Sequence, residues 1–332
     1  MAAIEALELQ APAAASTPKR WRTARVLMRK KLAVFAMIII AVFYFAGIFA
    51  PLIVDVMGLP GPNEQPRPLS VELRNAGPSA DHLLGTDALG RDLLSRIIYA
   101  CRTTVLVTLT VVLTGSLFLG LGLGLLAGYR GGWIDNAIMR IGEVLSGIPV
   151  LVLMLAITAA FQTRITQLSF DIGDNTPLST EEARAIVQFF LIILVTLPFA
   201  WLGSSRIVRS IVLSIREQQY VTAAEGMGGS TRRIIFRHIL PGVLPLWIVG
   251  VTAGMGAIAM AEISLSFLGL GISPPTASFG SLIQDGAGAR TFQTNPHLLL
   301  APAIPVILFY LSWNLLGDAL VDILEPRSSA NR

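Results

Sequence analysis

Six long apolar runs, at 32–54, 103–127, 141–161, 185–202, 243–265 and 298–320, constrain this 332-residue chain more than any other feature. A helix rising about 1.5 Å per residue needs ~20 apolar residues to cross a hydrocarbon core about 30 Å thick. The runs are of that order, about twice the length of a barrel strand, and show no alternation of apolar and polar residues, so helices are expected. A charged fraction of 14% and a mean hydropathy of +0.67 agree with a membrane protein. The fold class is an all-α membrane protein with six transmembrane helices. It divides into a basic tail at 1–31, a first span at 32–54, a connector ending in an amphipathic helix at 55–102, a core at 103–320 holding five spans and a loop at 205–241, and a tail at 321–332.

Basic residues set the orientation. Segments on the side of the N-terminus carry seventeen Lys and Arg, against eight on the other side. Positive charge is retained in the cytoplasm, which places both termini and the 205–241 loop there, and 55–102 outside. Lys19, Arg20, Arg22, Arg25, Arg29, Lys30 and Lys31 precede the first run, which is too long for the apolar stretch of a signal peptide. The net charge of +4 reads as a topology signal and a contact with anionic lipid rather than with nucleic acid. Cys101 is the one cysteine, so an internal disulfide is excluded.

Several chemistries find no support. The three lysines all lie before residue 32 and none follows a glycine, so the chain has no P-loop. Gly122–Ala127 reads GLGLLA, which fits a dinucleotide fingerprint on paper but sits inside an apolar run with no preceding strand. It reads as packing: Gly120, Gly124 and Gly128 recur every four residues, as do Gly250 with Gly254, and Ala253, Ala257 and Ala261, which lets helices approach closely. His82, His238 and His297 stand far apart without ligand spacing, and no nucleophile signature is present. No catalytic residue, metal site or bound cofactor is expected.

The stretch 220–241, YVTAAEGMGGSTRRIIFRHILP, stands out between two apolar runs. Tyr220, Ala223, Ala224, Met227 and Gly228 fall at one-face helical spacing. Gly228 and Gly229 stop that helix, and Ser230 or Thr231 is placed to cap a second one carrying Ile234, Ile235 and Ile239, with Arg232, Arg233 and Arg237 on the polar side. Pro241 then stands where the fifth span begins. A small-residue face suits seating in a protein groove; an amphipathic helix lying on lipid is the alternative, though such helices favour Leu, Phe and Trp.

The pattern formed by Ala223, Ala224, Gly228, His238, Leu240 and Pro241 resembles the cytoplasmic coupling loop of ABC importer permeases. Blocks at 82–104, 261–283 and 314–327 resemble the second-type permease subunit of the dipeptide/oligopeptide/nickel transport family. Thr222 stands where the loop pattern has Glu, Glu225 where Arg is frequent, Gly242 where Asn is frequent, and Val321 where Arg is frequent. The resemblance implies a type I importer architecture in a bacterial or archaeal cell membrane. It also implies a second homologous permease, two cytoplasmic ATPases that use ATP and Mg, and an extracytoplasmic substrate-binding protein. ATPase coupling then falls to Tyr220, Ala223, Ala224, Met227, Gly228, Gly229, His238, Leu240 and Pro241. The cargo implied is di- or oligopeptide, with nickel or glutathione as alternatives. An ion-driven secondary transporter is the rival class, but no inverted repeat is visible; a scaffold that carries nothing is another.

Other expectations concern single groups. Glu262 and Asn314, ionisable or polar groups inside apolar runs, are candidates for the translocation path. Asp318 and Asp322 are expected to face basic residues of the cytoplasmic loop. Leu89, Leu93, Ile97 and Cys101 recur every four residues beside Arg91, Asp92, Arg96 and Arg102, which suggests a lid helix on the membrane or a rim meeting the binding protein. The 163–185 segment, longer than the family's usual outer loop, is an insertion able to touch that protein. Pro302 and Pro305 are expected to kink the sixth span.

Overall fold

The computed structural model describes residues 26–66, 71–272 and 274–324, so Lys19, Arg20, Arg22 and Arg25 lie outside the described range. The chain is almost wholly helical and, among the described residues, has no strand beyond one isolated bridge between Thr86 and Asp92. The helices are α1 (Lys31–Ile48), α2 (Ala50–Val56), α3 (Leu93–Arg130), α4 (Gly132–Ser146), α5 (Val150–Asn175) and α6 (Thr180–Arg216). They continue as α7 (Gln219–Gly226), α8 (Thr231–Phe267), α9 (Phe279–Gly286), α10 (Ala289–Thr294) and α11 (His297–Leu324). Among the described residues α1, α3, α6, α8 and α11 are long and apolar enough to cross a membrane.

The third span of the sequence exists only as a bent pair. α4 and the apolar start of α5 meet at 78°, where the sequence predicts one run at 141–161. The break falls at Gly147-Ile148-Pro149 because Pro149 has no N–H to donate to the preceding turn and biases Ile148 away from helical dihedrals. Three further differences have equally local causes. The fourth run extends to Arg216 as α6, since Ser205 bonds back to the Leu202 carbonyl at 3.0 Å, Arg206 donates to Ser146 Oγ at 2.8 Å, and Arg209 grips both carboxylate oxygens of Asp135. The 163–185 insertion is helix rather than loop, divided between α5 and α6; Ser179 caps α6 in a reciprocal box with Glu182. Leu93, Ile97 and Cys101 form no lid: they are buried in the first turns of α3, a rod of ~57 Å at about 1.5 Å per residue.

Apolar side chains face outward along α1, including Phe35, Ile38, Val42 and Phe45, as a hydrocarbon surround permits. Helix contacts therefore rely on shape. α3 and α6 run parallel with backbones in close approach: a Cβ on Gly115, Gly120, Gly124 or Gly128 would fall 2.5–2.7 Å from Ala200, Ser204, Val208 and Val212 respectively. The glycine spacing in the second run thus serves contact within the chain. In α8 the small residues divide: Gly250 faces Ile207 and Ala253 sits against Gly317 of α11, while Gly254 faces open space. At the other side of the bundle Phe43 of α1 stacks on Phe309 of α11 at 3.9 Å and on Phe279 of α9 at 5.6 Å. Pro302 and Pro305 lie inside an α11 that remains one helix.

Candidate functional site

At the C-terminal end of α3 and α6 the chain folds into an elbow. α7 begins after Gln218 and ends in a Schellman turn: Gly228 N–H donates to Glu225 O at 2.9 Å and Gly229 N–H to Ala224 O at 3.0 Å. The two glycines serve different needs. Gly228 takes φ +80°, while a Cβ on Gly229 would sit 2.7 Å from the Ala224 carbonyl oxygen. Ser230 occupies the N-cap position of α8 but makes no capping bond through its side chain. Pro241 marks no fresh start: Thr231–Phe267 is one helix, widened into a π-helical stretch at Ile235–Ile239 in which Leu240 N–H reaches back five residues to Ile235 O. The wider turn lies just before the residue that cannot donate, where a strict α-ladder would lose a bond.

The elbow is fixed from inside. Val221 of α7 and Ile234 and Ile239 of α8 are buried with Val208, Val212, Val243 and Trp247 in one apolar cluster. Tyr129 Oη donates to Glu225 Oε1 at 3.2 Å, and Arg216 Nη1 donates to the Tyr129 carbonyl at 2.9 Å, tying α7 and the end of α6 to the last turn of α3. Ala224 departs from expectation. Tyr220, Ala223 and Met227 face outward, with Met227 82% exposed, but Ala224 turns in against its own chain at 8%. Between α7 and α8 lies a groove of about 530 Å³ lined by Tyr220, Ala224, Met227, Gly228, Gly229, Arg233, Ile234, Arg237 and His238. The Tyr220 and His238 rings stand 6.4 Å apart in it. Leu240 is half-buried below, and Pro241 is exposed. Val221, the most buried residue of α7, is missing from the sequence-derived face, although its spacing from Ala224 marks an inner stripe.

At the opposite end of α3 the charges are sealed. Asp87 accepts from the backbone N–H of Leu89 and Arg91, from Arg91 Nε at 2.7 Å, and lies 3.5 Å from Arg96 Nε. Arg96 has no exposed surface and donates to the Pro62 carbonyl at 3.1 Å. Asp92 caps α3 through Ser95 N–H at 2.8 Å and binds His82 Nδ1 at 2.9 Å. The segment expected to form a lid or a rim is thus built around an interior ion cluster.

The polar groups inside the spans also find definite places. Glu262 has no exposed surface; Thr104 Oγ1 and Ser266 Oγ each donate to its carboxylate at 3.0 Å, and Ser266 Oγ accepts from Ile272 N–H. That geometry braces α3, α8 and the following turn and leaves Glu262 facing no open path in this conformation. Asn314 donates to the Tyr310 carbonyl of its own helix at 2.8 Å. Asp322 pairs with Lys30 at 2.8 Å, not with the elbow loop, and Asp318 is exposed. Among the described residues no group of His, Cys, Asp or Glu could hold a metal ion.

The described residues form a multi-span helical bundle with a polar elbow at one end and a buried ion cluster at the other. The chain belongs to the family described as the binding-protein-dependent transport system inner membrane component, which matches residues 120–330. The N-terminal TM domain of oligopeptide transport permease C matches residues 19–78. A dipeptide transport system permease protein of Alkalihalophilus pseudofirmus is 36% identical over 309 residues, 92% of this chain and 90% of its own. An oligopeptide transport system permease protein of Mycobacterium tuberculosis is 35% identical over 257 residues, 77% of this chain and 79% of its own. A glutathione transport system permease protein of Pectobacterium atrosepticum is 34% identical over 253 residues, 76% and 75% of the two chains. The chain is thus a multi-pass ABC permease of the peptide-transport type, as the sequence blocks had implied.

Proposed function

We propose that this chain is one of two permease subunits of an ATP-driven importer for di- or oligopeptides in a bacterial or archaeal inner membrane. The termini and the elbow lie in the cytoplasm, in keeping with the excess of Lys and Arg on that side. Two separate ATPases seat against the elbow, and an external binding protein delivers cargo to the opposite end. The observation that carries this reading is the elbow: a short helix locked by hydrogen bonds at its C-terminal end and by buried Val221 from inside, yet open on the side bearing Tyr220, Ala223 and Met227. A rigid lever with one free face is what ATP-driven closure of a partner needs in order to tilt the bundle. The route inward passes through α7, Glu225, Tyr129 and the parallel pair α3 and α6. Asn314 remains the candidate for the translocation path, and the α5–α6 turn the candidate contact for the binding protein.

The test uses Ala223→Arg, which loads the exposed face without disturbing the inner one, beside Gly228→Val. Both are expected to abolish transport and transport-stimulated ATP hydrolysis while the chain still inserts in the membrane. Wild-type transport by Ala223→Arg would contradict the lever. A second reading, glutathione as cargo, is favoured by the relative from Pectobacterium atrosepticum. Uptake of labelled dipeptide and of glutathione by the reconstituted complex separates the two.

A further inference from the structure

The elbow combines an open groove with unbalanced charge. Arg233 and Arg237 line it, one helical turn apart, and Arg232 stands beside them. All three are exposed, and none of their side chains makes an ion pair or hydrogen bond among the described residues. Like charges four residues apart on a helix repel, so an anion in the groove relieves a cost the free chain carries. Acids nearby are committed or remote: Glu225 accepts from Tyr129, and neither it nor Glu217 lines the groove. The floor is apolar, formed by Ile234 and Ala224, and the walls are Tyr220 and Met227. Thr222 is exposed on the outer face of α7, so the nearest carboxylate there is Glu225, which accepts from Tyr129.

We propose that the groove between α7 and α8 receives a carboxylate-bearing side chain, flanked by an apolar residue, from the ATPase subunit, and that Arg233 and Arg237 bind it. The contact then works in both directions: Tyr220 and Met227 project into the partner, while the partner's acid projects into this chain. This rests on the ATPase-coupling reading above. Guanidinium supplies paired donors suited to a carboxylate, and Tyr220 and Met227 shield the pair from water. A phospholipid headgroup is the other anion in reach. It is disfavoured because the exposed surface of α7 and its flanks is largely polar or small, with Gln218, Gln219, Thr222, Ala223 and Glu225 around the two apolar side chains Tyr220 and Met227, and because the exposed Glu225 would face the anionic headgroups.

The experiment measures binding of the co-expressed ATPase subunits to the permease pair in nanodiscs, with Arg233→Glu, Arg237→Glu and, outside the groove, Arg232→Glu. Groove variants are expected to weaken ATPase binding about tenfold each, with the wild-type affinity falling as salt rises and Arg232→Glu within about twofold. Reversing the opposing acid of the ATPase to Arg restores binding to Arg233→Glu. Equal losses in all three variants, or none, overturn the proposal. If the groove variants keep ATPase affinity but lose a protection of residues 233–238 from hydrogen exchange that phosphatidylglycerol nanodiscs give over phosphatidylcholine ones, the groove is a headgroup site and the proposal falls. Loss of coupling in Ala223→Arg with unchanged ATPase affinity in the groove variants leaves the lever standing and removes only this inference. Full ATPase affinity and transport in all variants removes both.

Discussion

The two ends of α3 handle charge in opposite ways. At one end Asp87, Arg91, Asp92 and Arg96 are all nearly or fully buried, each held by a partner within the chain. At the other, Arg232, Arg233 and Arg237 are exposed and unpaired among the described residues, around a helix whose own backbone is locked. A sealed ion cluster fixes geometry, because breaking it strands a charge in a dry site. An open one is paired only when something else arrives. Rigidity at both ends with satisfaction at only one is the arrangement expected of a lever with an anchored end and a working end.

The largest effect lies at the anchored end. Asp87→Ala leaves Arg91 and Arg96 buried without their carboxylate, and unfolding in detergent is expected to show a loss of about 3–5 kcal/mol. A loss below 1 kcal/mol would mean that water reaches the cluster, and the contrast between the ends would collapse. Next comes the elbow turn. Gly229→Ala drives a Cβ toward the Ala224 carbonyl at a cost of about 1–3 kcal/mol, seen as faster hydrogen exchange confined to 219–229. In the middle of the bundle, Thr104→Val removes one donor to Glu262 and is expected to cost about 1 kcal/mol. Smallest is Asp322→Ala: its pair with Lys30 is exposed, so the change should stay below ~1 kcal/mol and vanish at high salt.

The rods were legible in the sequence and their joints only partly so. Apolar length alone located five of the spans, because lipid imposes one requirement on every residue of a run. The bend at Gly147–Pro149 was open to reading, since glycine and proline two residues apart weaken a helix at one point, yet hydropathy passes straight over it. α6 outran its apolar stretch because Arg206 and Arg209 are satisfied by Ser146 and Asp135, partners some sixty to seventy residues away that spacing does not disclose. At the elbow, Gly228 was readable from its chemistry, and its positive φ agrees. The direction of Ala224 was not, because a one-residue shift in the buried stripe, toward Val221, depends on packing against α6. Glu262 drew notice as a lone carboxylate in an apolar run; only the fold shows Thr104 and Ser266 meeting it.

The lever itself is tested most directly at Met227. Cys101 is the one native cysteine and is buried, so Met227→Cys adds a single exposed thiol at the working end. Maleimide labelling of that thiol should be rapid in the permease pair alone and slow at least tenfold when the ATPase subunits are bound. An unchanged labelling rate on ATPase binding would contradict the seating of an ATPase on this elbow.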